Sequence, residues 1–371
     1  MSKFYNPVPI LKVAMEKKSP TVVIVGGKGN GKTYGIIEKA LEEFVKSGRI
    51  CRYLRRYKES ITPKAIQSLL KPQRKNLMIL TGGQYNDFQY WRGRFYLVKV
   101  DKDGNRISKK NEPFMVCSAL NSVEGFTGAD EGDCSMIFFD EFLSRERELP
   151  DEFSSLMIFH NNCVRNRLEH YTPLILVGNT VSRNSTLARE FGIDLYSIDK
   201  DTITVLTNHE GDATAVVEYC GQTERMADAG ETIYKRYDHS KVKMIYSGDW
   251  SIGNYPRITE RHIKGSEKIF TIMCDFNRQI VFEIRLYKSY VFGYVRYRGR
   301  GEECDCILTT RTTPLRPNVL NYFTSTVRVF RVFGQLILRK QVFFDCGECG
   351  EIFRDFLLNL NGANQLQSVY K

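Results

Sequence analysis

Residues 21–33 read TVVIVGGKGNGKT, and this stretch decides the fold. The β-branched run at 21–25 predicts a buried strand, and apolar residues at helical spacing over 34–45 predict a helix after the turn. A strand, a glycine-rich turn and a helix in this order form a phosphate-binding loop, because the N–H groups of the turn and the positive end of the helix dipole face the same anion. The flanking elements disfavour a chance match. The predicted loop residues are Gly26, Gly27, Lys28, Gly29, Asn30, Gly31, Lys32 and Thr33.

A second motif supplies the carboxylates that nucleotide hydrolysis requires. Four apolar residues at 136–139 precede Asp140 and Glu141, and a short apolar run is typical of a buried parallel strand. We expect Lys32 to reach the β- and γ-phosphates of the nucleotide. Thr33 and Asp140 would bind Mg²⁺, and Glu141 would act as general base towards the attacking water. The chain lacks the Asn-Lys-x-Asp motif that reads guanine, so ATP is the expected nucleotide.

Three further residues are candidates for the same site. Asn179 follows another apolar run and could sense the γ-phosphate, although asparagine is also common in strand-end turns. Arg165, in Arg165-Asn166-Arg167, could be donated to the site of a neighbouring subunit, and an ordinary basic turn is the alternative. Lys58 ends a basic cluster with interleaved tyrosines, which could contact phosphates of ATP or of nucleic acid or form a solvated face.

The charge of the chain is large and unevenly distributed. The formal net charge is +11 and the pI is about 9.1. Residues 1–100 carry 20 Lys and Arg against 6 Asp and Glu, residues 251–371 carry 18 against 11, and the middle is net acidic. A basic balance of this size suggests a polyanionic partner, and a basic protein without such a partner is the alternative.

The cysteines and the hydropathy indicate an intracellular protein without a membrane partner. Ten cysteines are spread along the chain without a disulfide framework, as in reducing compartments. Cys304, Cys306, Cys346 and Cys349 could offer zinc four thiolates, but the two pairs differ in spacing, so we assign no zinc site. The start, MSKFYNPVPILKV, lacks the apolar core of a signal peptide, and no uncharged apolar stretch approaches the ~18 residues of a membrane span.

The order of the predicted elements suggests three domains. Strands alternating with helices predict an α/β fold with a parallel, doubly wound sheet, with a hairpin at Asp103-Gly104 inserted. A stretch of short polar segments follows, and then a β-rich α+β region that includes a predicted strand at 327–333 and a final helix at 351–360. The expected domains are an ATPase domain at 1–207, a linker or hinge domain at 208–254 and a C-terminal nucleic-acid-binding domain at 255–371.

Several carboxylates of the last region could belong to a nuclease. Asp275 ends an apolar strand, and Asp345, Glu348 and Glu351 lie far downstream. Together they could mimic a two-metal nuclease site, but so few candidates favour scattered surface carboxylates.

Several less generic segments carry a resemblance to a known family. FYNP at 4–7 precedes the loop, YLRRYK begins at Tyr53, FFDEF covers 138–142, VRNR ends at Arg167 and GNTVS covers 178–182. Together with GGKGNGKT, these segments resemble the DNA-packaging ATPases of phi29-type small tailed phages. The second half of the chain is only weakly similar to that family.

The resemblance implies a fold, an activity and partners. It implies an additional-strand catalytic-glutamate (ASCE) P-loop ATPase domain and a C-terminal domain like RNase H that has lost activity. The family is a viral genome-packaging motor, in which a homo-oligomeric ring, expected to be a pentamer, hydrolyses ATP at its subunit interfaces. It moves double-stranded DNA through the phage portal, or connector, into a preformed capsid in the host cytoplasm, and some members use a packaging RNA. Arg165 matches the arginine finger that acts in trans, and Lys58 matches a basic residue that reaches a neighbour's nucleotide.

Two other functions remain open at this point. A terminase-like ATPase would carry an active metal-dependent nuclease that includes Asp275. A docking protein would bind nucleotide without turnover, and Glu141 argues against it because a binding-only site needs no general base.

Overall fold

The computed structural model describes the following residues: 4–108, 112–122, 133–144, 148–149, 151–164, 170–183, 185–221, 250, 253–276, 280–310, 319–322, 328–360 and 362–369. The chain divides into two compact units, one of residues 1–144 and 149–250 and one of residues 145–148 and 251–371. Each unit has its own sheet.

The first unit contains nine strands and six α-helices within its described residues. In chain order they are α1 (Val8–Glu16), β1 (Thr21–Gly26), α2 (Lys32–Ser47), β2 (Ile50–Arg55), α3 (Pro63–Leu70), α4 (Arg74–Leu80), β3 (Asp87–Trp91), β4 (Arg94–Val98), β5 (Pro113–Ala119), β6 (Cys134–Asp140), α5 (Glu152–Val164), β7 (Leu174–Asn179), α6 (Thr186–Glu190), β8 (Ile203–Thr207) and β9 (Ala213–Cys220). Short 3₁₀ turns cover Lys58–Ser60 and Lys71–Gln73.

The sheet of this unit has the order β3-β4-β5-β2-β6-β7-β1-β9-β8. The six strands from β5 to β9 in this order are parallel, and antiparallel pairs close both edges. Strand β7 therefore lies between the loop strand β1 and the carboxylate strand β6. The predicted α/β fold with a parallel sheet is confirmed.

Both faces of β1 are buried, which explains its continuous apolar sequence. Val22 and Ile24 join one core with residues of α2, whereas Val23 and Val25 join the opposite core with residues of α5. Each such side chain contributes about 1.5–3 kcal/mol when it leaves water. Because the central strands are parallel, their carboxyl ends meet at one edge of the sheet, and the candidate site lies there.

Strand β9 and the hairpin β3–β4 differ from the linker predicted at 208–254 and the hairpin predicted at Asp103-Gly104. The sequence predicts a linker over 208–254, but 213–220 form β9, whose residues 215–220 pair with all six residues of β1. Its apolar residues Val216 and Val217 are buried on opposite faces of the sheet, whereas the polar punctuation around it suggested a linker. Residues 222–249 lie outside the described residues. The hairpin β3–β4 turns at Arg92-Gly93, both with positive φ. The Asp103-Gly104 turn is spanned by an isolated bridge between Val100 and Arg106 and by a hydrogen bond from the Asp101 N–H to the Asn105 carbonyl oxygen.

The second unit is a six-stranded sheet with helices. Its elements are α7 (Glu260–Lys264), β10 (Glu267–Asp275), β11 (Ile280–Tyr287), β12 (Tyr290–Tyr297), β13 (Cys306–Thr309), β14 (Val319–Asn321), α8 (Arg328–Leu338), β15 (Val342–Phe344), α9 (Gly347–Asn359) and α10 (Asn364–Gln367). The order is β14-β13-β10-β11-β12-β15. Strand β11 is antiparallel to both β10 and β12, β13 runs parallel to β10, and β14 runs parallel to β13.

The strand predicted at 327–333 is wrong, because its described residues begin helix α8. The apolar residues that are buried there, Phe330, Phe333 and Ile337, are spaced by three and four, which is the helical period. The ring centroid of Phe333 lies 4.7 Å from that of Phe282 in β11 and 6.2 Å from that of Phe353 in α9. The β-branched composition of the segment therefore misled, and its periodicity decides the structure. The predicted final helix is present as α9.

Within the described part of the chain, no helix is long and apolar enough to cross a bilayer.

Candidate functional site: a phosphate-binding loop beside two carboxylates

The loop after β1 is shaped by close packing against β9. An ideal Cβ on Gly26 would lie 2.4 Å from the Sγ atom of Cys220 and 2.6 Å from its carbonyl oxygen. The Cys220 thiol also accepts a hydrogen bond from the Asn30 side chain at 3.0 Å. Glycine is therefore required where β1 ends, and the loop is held by the strand beside it.

Lys32 is the central cation of the loop. Its ammonium is buried and donates to the carbonyl oxygens of Gly26 and Gly27 at 3.0 and 2.9 Å. It also donates to the side-chain oxygens of Asn30 and Asn179 at 3.1 and 3.3 Å. Burial lowers the pKa of Lys32, and the nearby Cys220 and Asp140 oppose that shift. The structure thus brings Asn179, at the end of β7, to the loop lysine.

Thr33 and Asp140 are in direct contact. The Thr33 hydroxyl donates to Oδ1 of Asp140 at 3.0 Å, and the Tyr53 hydroxyl donates to Oδ2 at 3.0 Å. Burial raises the pKa of Asp140, while the guanidinium of Arg55, 3.3 Å away, lowers it. A hydroxyl and a buried carboxylate at this separation are oxygen ligands of the kind that Mg²⁺ takes.

Glu141 follows β6 with a backbone that is unusual for glutamate. Its φ is +59°, in the left-handed region, where a residue other than glycine is strained and often functional. Its side chain is half exposed and forms an ion pair with Arg55. Arg55 therefore bridges both carboxylates of the Asp140-Glu141 pair.

The neighbouring arginine has a structural role. Arg56 and Glu152 are both buried and form a two-pronged ion pair, with Nε–Oε2 and Nη2–Oε1 distances of 2.7 and 2.8 Å. Arg56 also donates to the carbonyl oxygen of Phe142 at 2.6 Å. This network fixes the turn that carries Glu141. Arg56 is therefore part of the core. It does not belong to the solvated basic face that was considered for the cluster ending at Lys58.

The FYNP segment packs against the loop and its helix. The Tyr5 N–H donates to the carbonyl oxygen of Asn30 at 2.9 Å, and Phe4 stacks on Tyr34 at 4.9 Å. An ideal Cβ on Gly35 would lie 2.8 Å from Cδ of Pro7 and 2.9 Å from the Tyr5 carbonyl. The Tyr5 hydroxyl reaches Glu218 of β9. The sequence marked this segment by resemblance only, and its contacts now give the physical reason.

These residues surround a cavity of about 250 Å³. The lining includes Gly29 to Thr33, Asp140, Glu141 and Asn179, and residues of α3 and the turn after it form the far wall. A buried ammonium, the amino end of a 16-residue helix and a hydroxyl suit a polyphosphate. The donor set therefore fits ATP with Mg²⁺.

One predicted site residue, Lys58, lies away from the cavity. Lys58 is exposed on the 3₁₀ turn after β2, where its backbone N–H donates to the Asn121 side chain at 3.2 Å, and it does not line the cavity. Arg165 lies outside the described residues. Lys28 is exposed at the tip of the loop.

The carboxylates of the second unit are dispersed. Asp275 pairs in register with Thr309, whose hydroxyl donates to it at 3.1 Å. Asp345 accepts a hydrogen bond from Tyr294 at 2.8 Å, and Glu351 accepts one from the Gly253 N–H. Cys346 and Cys349 have their Sγ atoms 3.3 Å apart. Across the residues that the structure describes, no three histidine, cysteine or acidic side chains are grouped to hold a metal.

A parallel sheet whose carboxyl edge carries this loop, lysine and carboxylate pair defines the class of P-loop nucleotide-binding proteins. Residues 1–191 match the model of the Podovirus DNA encapsidation protein (Gp16) family. The chain belongs to this family, and the resemblance seen in the sequence is confirmed.

Solved structures agree with this assignment at the level of fold. The Phi-28 gp11 DNA packaging motor is 16% identical, with a TM-score of 0.54 and coverage of 97% of this chain and 99% of that chain. The bacteriophage Phi-29 viral genome packaging motor assembly is 18% identical, with a TM-score of 0.55 and coverage of 96% and 100%. No curated protein matches the chain in sequence.

Proposed function

We propose that this protein is the ATPase of a viral genome-packaging motor, which hydrolyses ATP to move double-stranded DNA into a preformed capsid through the portal. The observation that carries the proposal is the convergence of Lys32, the Thr33–Asp140 contact and Glu141 on one cavity. Membership of the DNA encapsidation family supports the substrate. The host cytoplasm, where capsids assemble, is the corresponding location.

In this proposal each site residue has a separate task. Lys32 exchanges its contacts with the loop carbonyls for phosphate oxygens, and Thr33 and Asp140 hold Mg²⁺. The ion neutralises charge on the phosphates when it is bound. Asn179, which accepts a hydrogen bond from the Lys32 ammonium, is placed to sense the γ-phosphate.

Glu141 accepts a proton from the attacking water, and Arg55 controls when it can do so. In the structure the Glu141 carboxylate is engaged by the Arg55 guanidinium. Glu141 therefore has to leave Arg55 before it acts as general base. We infer that the β2 end, which carries Arg55, takes part in timing hydrolysis.

The site is completed by a neighbouring subunit in this proposal. Arg165 serves as a trans-acting arginine finger and Lys58 as a second trans residue, in a ring of five subunits. The exposure of Lys58 supports a role outside its own cavity. A packaging RNA is a further candidate partner.

The sheet orders support the finer fold assignments. Strand β7 lies between β1 and β6, as the additional strand of the ASCE class does. In the second unit the order is β12-β11-β10-β13-β14, with three antiparallel strands followed by two strands parallel to β10. This order supports the RNase-H-like fold that the resemblance implies. Thr309 stands opposite Asp275, where a second carboxylate would be needed for two metals, so we propose that this unit is not a nuclease.

The central test is ATP turnover by the full chain with and without duplex DNA. Glu141→Gln should bind ATP and lose hydrolysis, because an amide cannot accept the water's proton. Lys32→Ala should lose binding, and Lys46→Ala, an exposed lysine at the other end of α2, is the matched control. Hydrolysis at the wild-type rate by Glu141→Gln would refute the assignment of the base.

A second assay separates the motor from a terminase with an active nuclease. The protein is incubated with plasmid and Mg²⁺ or Mn²⁺, and we expect no cleavage. Robust cleavage that disappears in Asp275→Ala would overturn the assignment of the second unit.

A further inference from the structure

The outer face of helix α8 carries a row of arginines. Arg328, Arg331, Gln335 and Arg339 follow one another at intervals of three and four residues, and all four are exposed. They therefore lie on one side of the helix, opposite the buried Phe330, Phe333 and Ile337. At 1.5 Å per residue the row is about 16 Å long.

The row lies in a part of the chain without acidic residues. Residues 306–344 contain no Asp or Glu but include Arg311, Arg316, Arg328, Arg331, Arg339 and Lys340. The charge on this face is therefore not balanced by its own sequence neighbours.

Several acidic groups of the second unit pair with other bases. Glu283 pairs with Arg285 and Arg296, and Arg296 also pairs with Glu302. Asp355 pairs with Arg354 at 2.9 Å, and Glu260 pairs with Lys264 at 3.1 Å. In the part of the chain that the structure describes, no ion pair involves Arg328, Arg331 or Arg339. An exposed row of guanidinium groups without internal counter-ions is complementary to a polyanion.

We propose that α8 is the surface with which the second unit contacts the phosphate backbone of double-stranded DNA. This proposal rests on the packaging function, which supplies the duplex as substrate. Guanidinium groups bind phosphates through two parallel hydrogen bonds, and the amide of Gln335 adds a further donor. Duplex DNA carries one charge per about 1.7 Å of its axis, so a row of this length faces several phosphates. Backbone contacts of this kind are independent of sequence, as a motor that moves any DNA requires.

The test measures how duplex binding by the full chain depends on salt. The variant Arg328→Gln/Arg331→Gln/Arg339→Gln is compared with Arg257→Gln/Arg261→Gln/Arg300→Gln, which removes the same charge from other exposed positions of the same unit. Each lost phosphate contact lowers the slope of log K against log salt by about 0.9. The α8 variant should therefore lose about 3 units of slope and bind on the order of 10²-fold more weakly at 0.1 M salt. The control variant should keep the wild-type slope.

The remaining measurements separate the possible failures. Replacing the three arginines by lysine keeps the charge and should keep most of the slope. Each single glutamine variant should lose about 0.9 units of slope, and these variants replace the triple variant if it unfolds. Equal losses of slope in the two triple variants would show that DNA binding depends only on the overall charge of the unit, and the proposal would be overturned. If the wild-type protein binds DNA and hydrolyses ATP, and the α8 variant keeps the wild-type salt slope, the proposal is overturned. The packaging function would then stand. A wild-type protein that neither binds DNA nor hydrolyses ATP would refute both.

Discussion

The buried ion pair of Arg56 and Glu152 gives the strongest prediction for stability. Arg56→Met removes the guanidinium that pairs with the buried Glu152 carboxylate and donates to the Phe142 carbonyl. Removing one partner of a buried pair costs about 3–5 kcal/mol. For a unit of this size each kcal/mol shifts Tm by about 2–4 °C, so we expect the first unit to melt about 6–20 °C lower.

A matched control is available in the same unit. Arg74 and Asp87 form a pair with the same two-pronged geometry, both distances being 2.7 Å, but the Arg74 side chain is 47% exposed. Exposed pairs contribute about 0–1 kcal/mol, so Arg74→Met should shift Tm by at most ~4 °C. The double variant Arg56→Met/Glu152→Leu should recover part of the loss, because neither charge then remains buried.

Calorimetry of the full chain measures these shifts, and ATP turnover gives a second measurement. Because Arg56 holds the carbonyl next to Glu141, Arg56→Met should also lower kcat at temperatures where the unit is folded. Equal Tm shifts for Arg56→Met and Arg74→Met would refute the argument from burial.

Three further predictions concern other parts of the chain. Gly35→Ala should lower Tm although alanine favours the middle of a helix by about 1 kcal/mol, because the new Cβ meets Pro7 and Tyr5; in a chain lacking residues 1–7 the same change should raise Tm, and a rise in both would exclude docking of the FYNP segment. Arg165→Ala should keep ATP binding and lose turnover by on the order of 10³-fold; mixing it with Glu141→Gln subunits should restore some activity, and no recovery would indicate action in cis. The hydrogen bonds from Arg296 lower the pKa of Glu302 to about 2, so its stabilising effect is complete above the unfolded pKa of about 4.5 and is lost as pH falls towards 2; Glu302→Gln should flatten denaturant-measured stability over that range, and an unchanged pH dependence would refute the pairing.

The sequence predicted the loop, the carboxylate pair and the parallel sheet, because each depends on local order. Lys32, Thr33, Asp140 and Asn179 meet because strands of known direction end at one edge. Those contacts follow from the motifs and the sheet alone.

Adjacent arginines could not be distinguished in the same way. Arg55 reaches the carboxylates, whereas Arg56, the next residue, enters the core towards Glu152, 96 residues away. Alternation along the chain predicts that the two point apart, but a partner so distant in sequence cannot be read from local pattern. The same limit hid the contact between Tyr5 and Glu218.

The misjudged segments have a common cause. Composition predicts a linker over residues 208–254 and a strand over residues 327–333. Their burial patterns depend on neighbours that are remote in sequence, β1 for the first and Phe282 for the second. In the second segment the helical spacing of Phe330, Phe333 and Ile337 is the local signal that the β-branched composition obscured.

The contact between Gly26 and Cys220 has a mechanical consequence. The loop rests on the last residue of β9 without space for even one added carbon. A movement of the loop towards β9 must therefore displace the end of that strand as well. The phosphate-binding loop and the end of β9 thus behave as one mechanical element of the first unit.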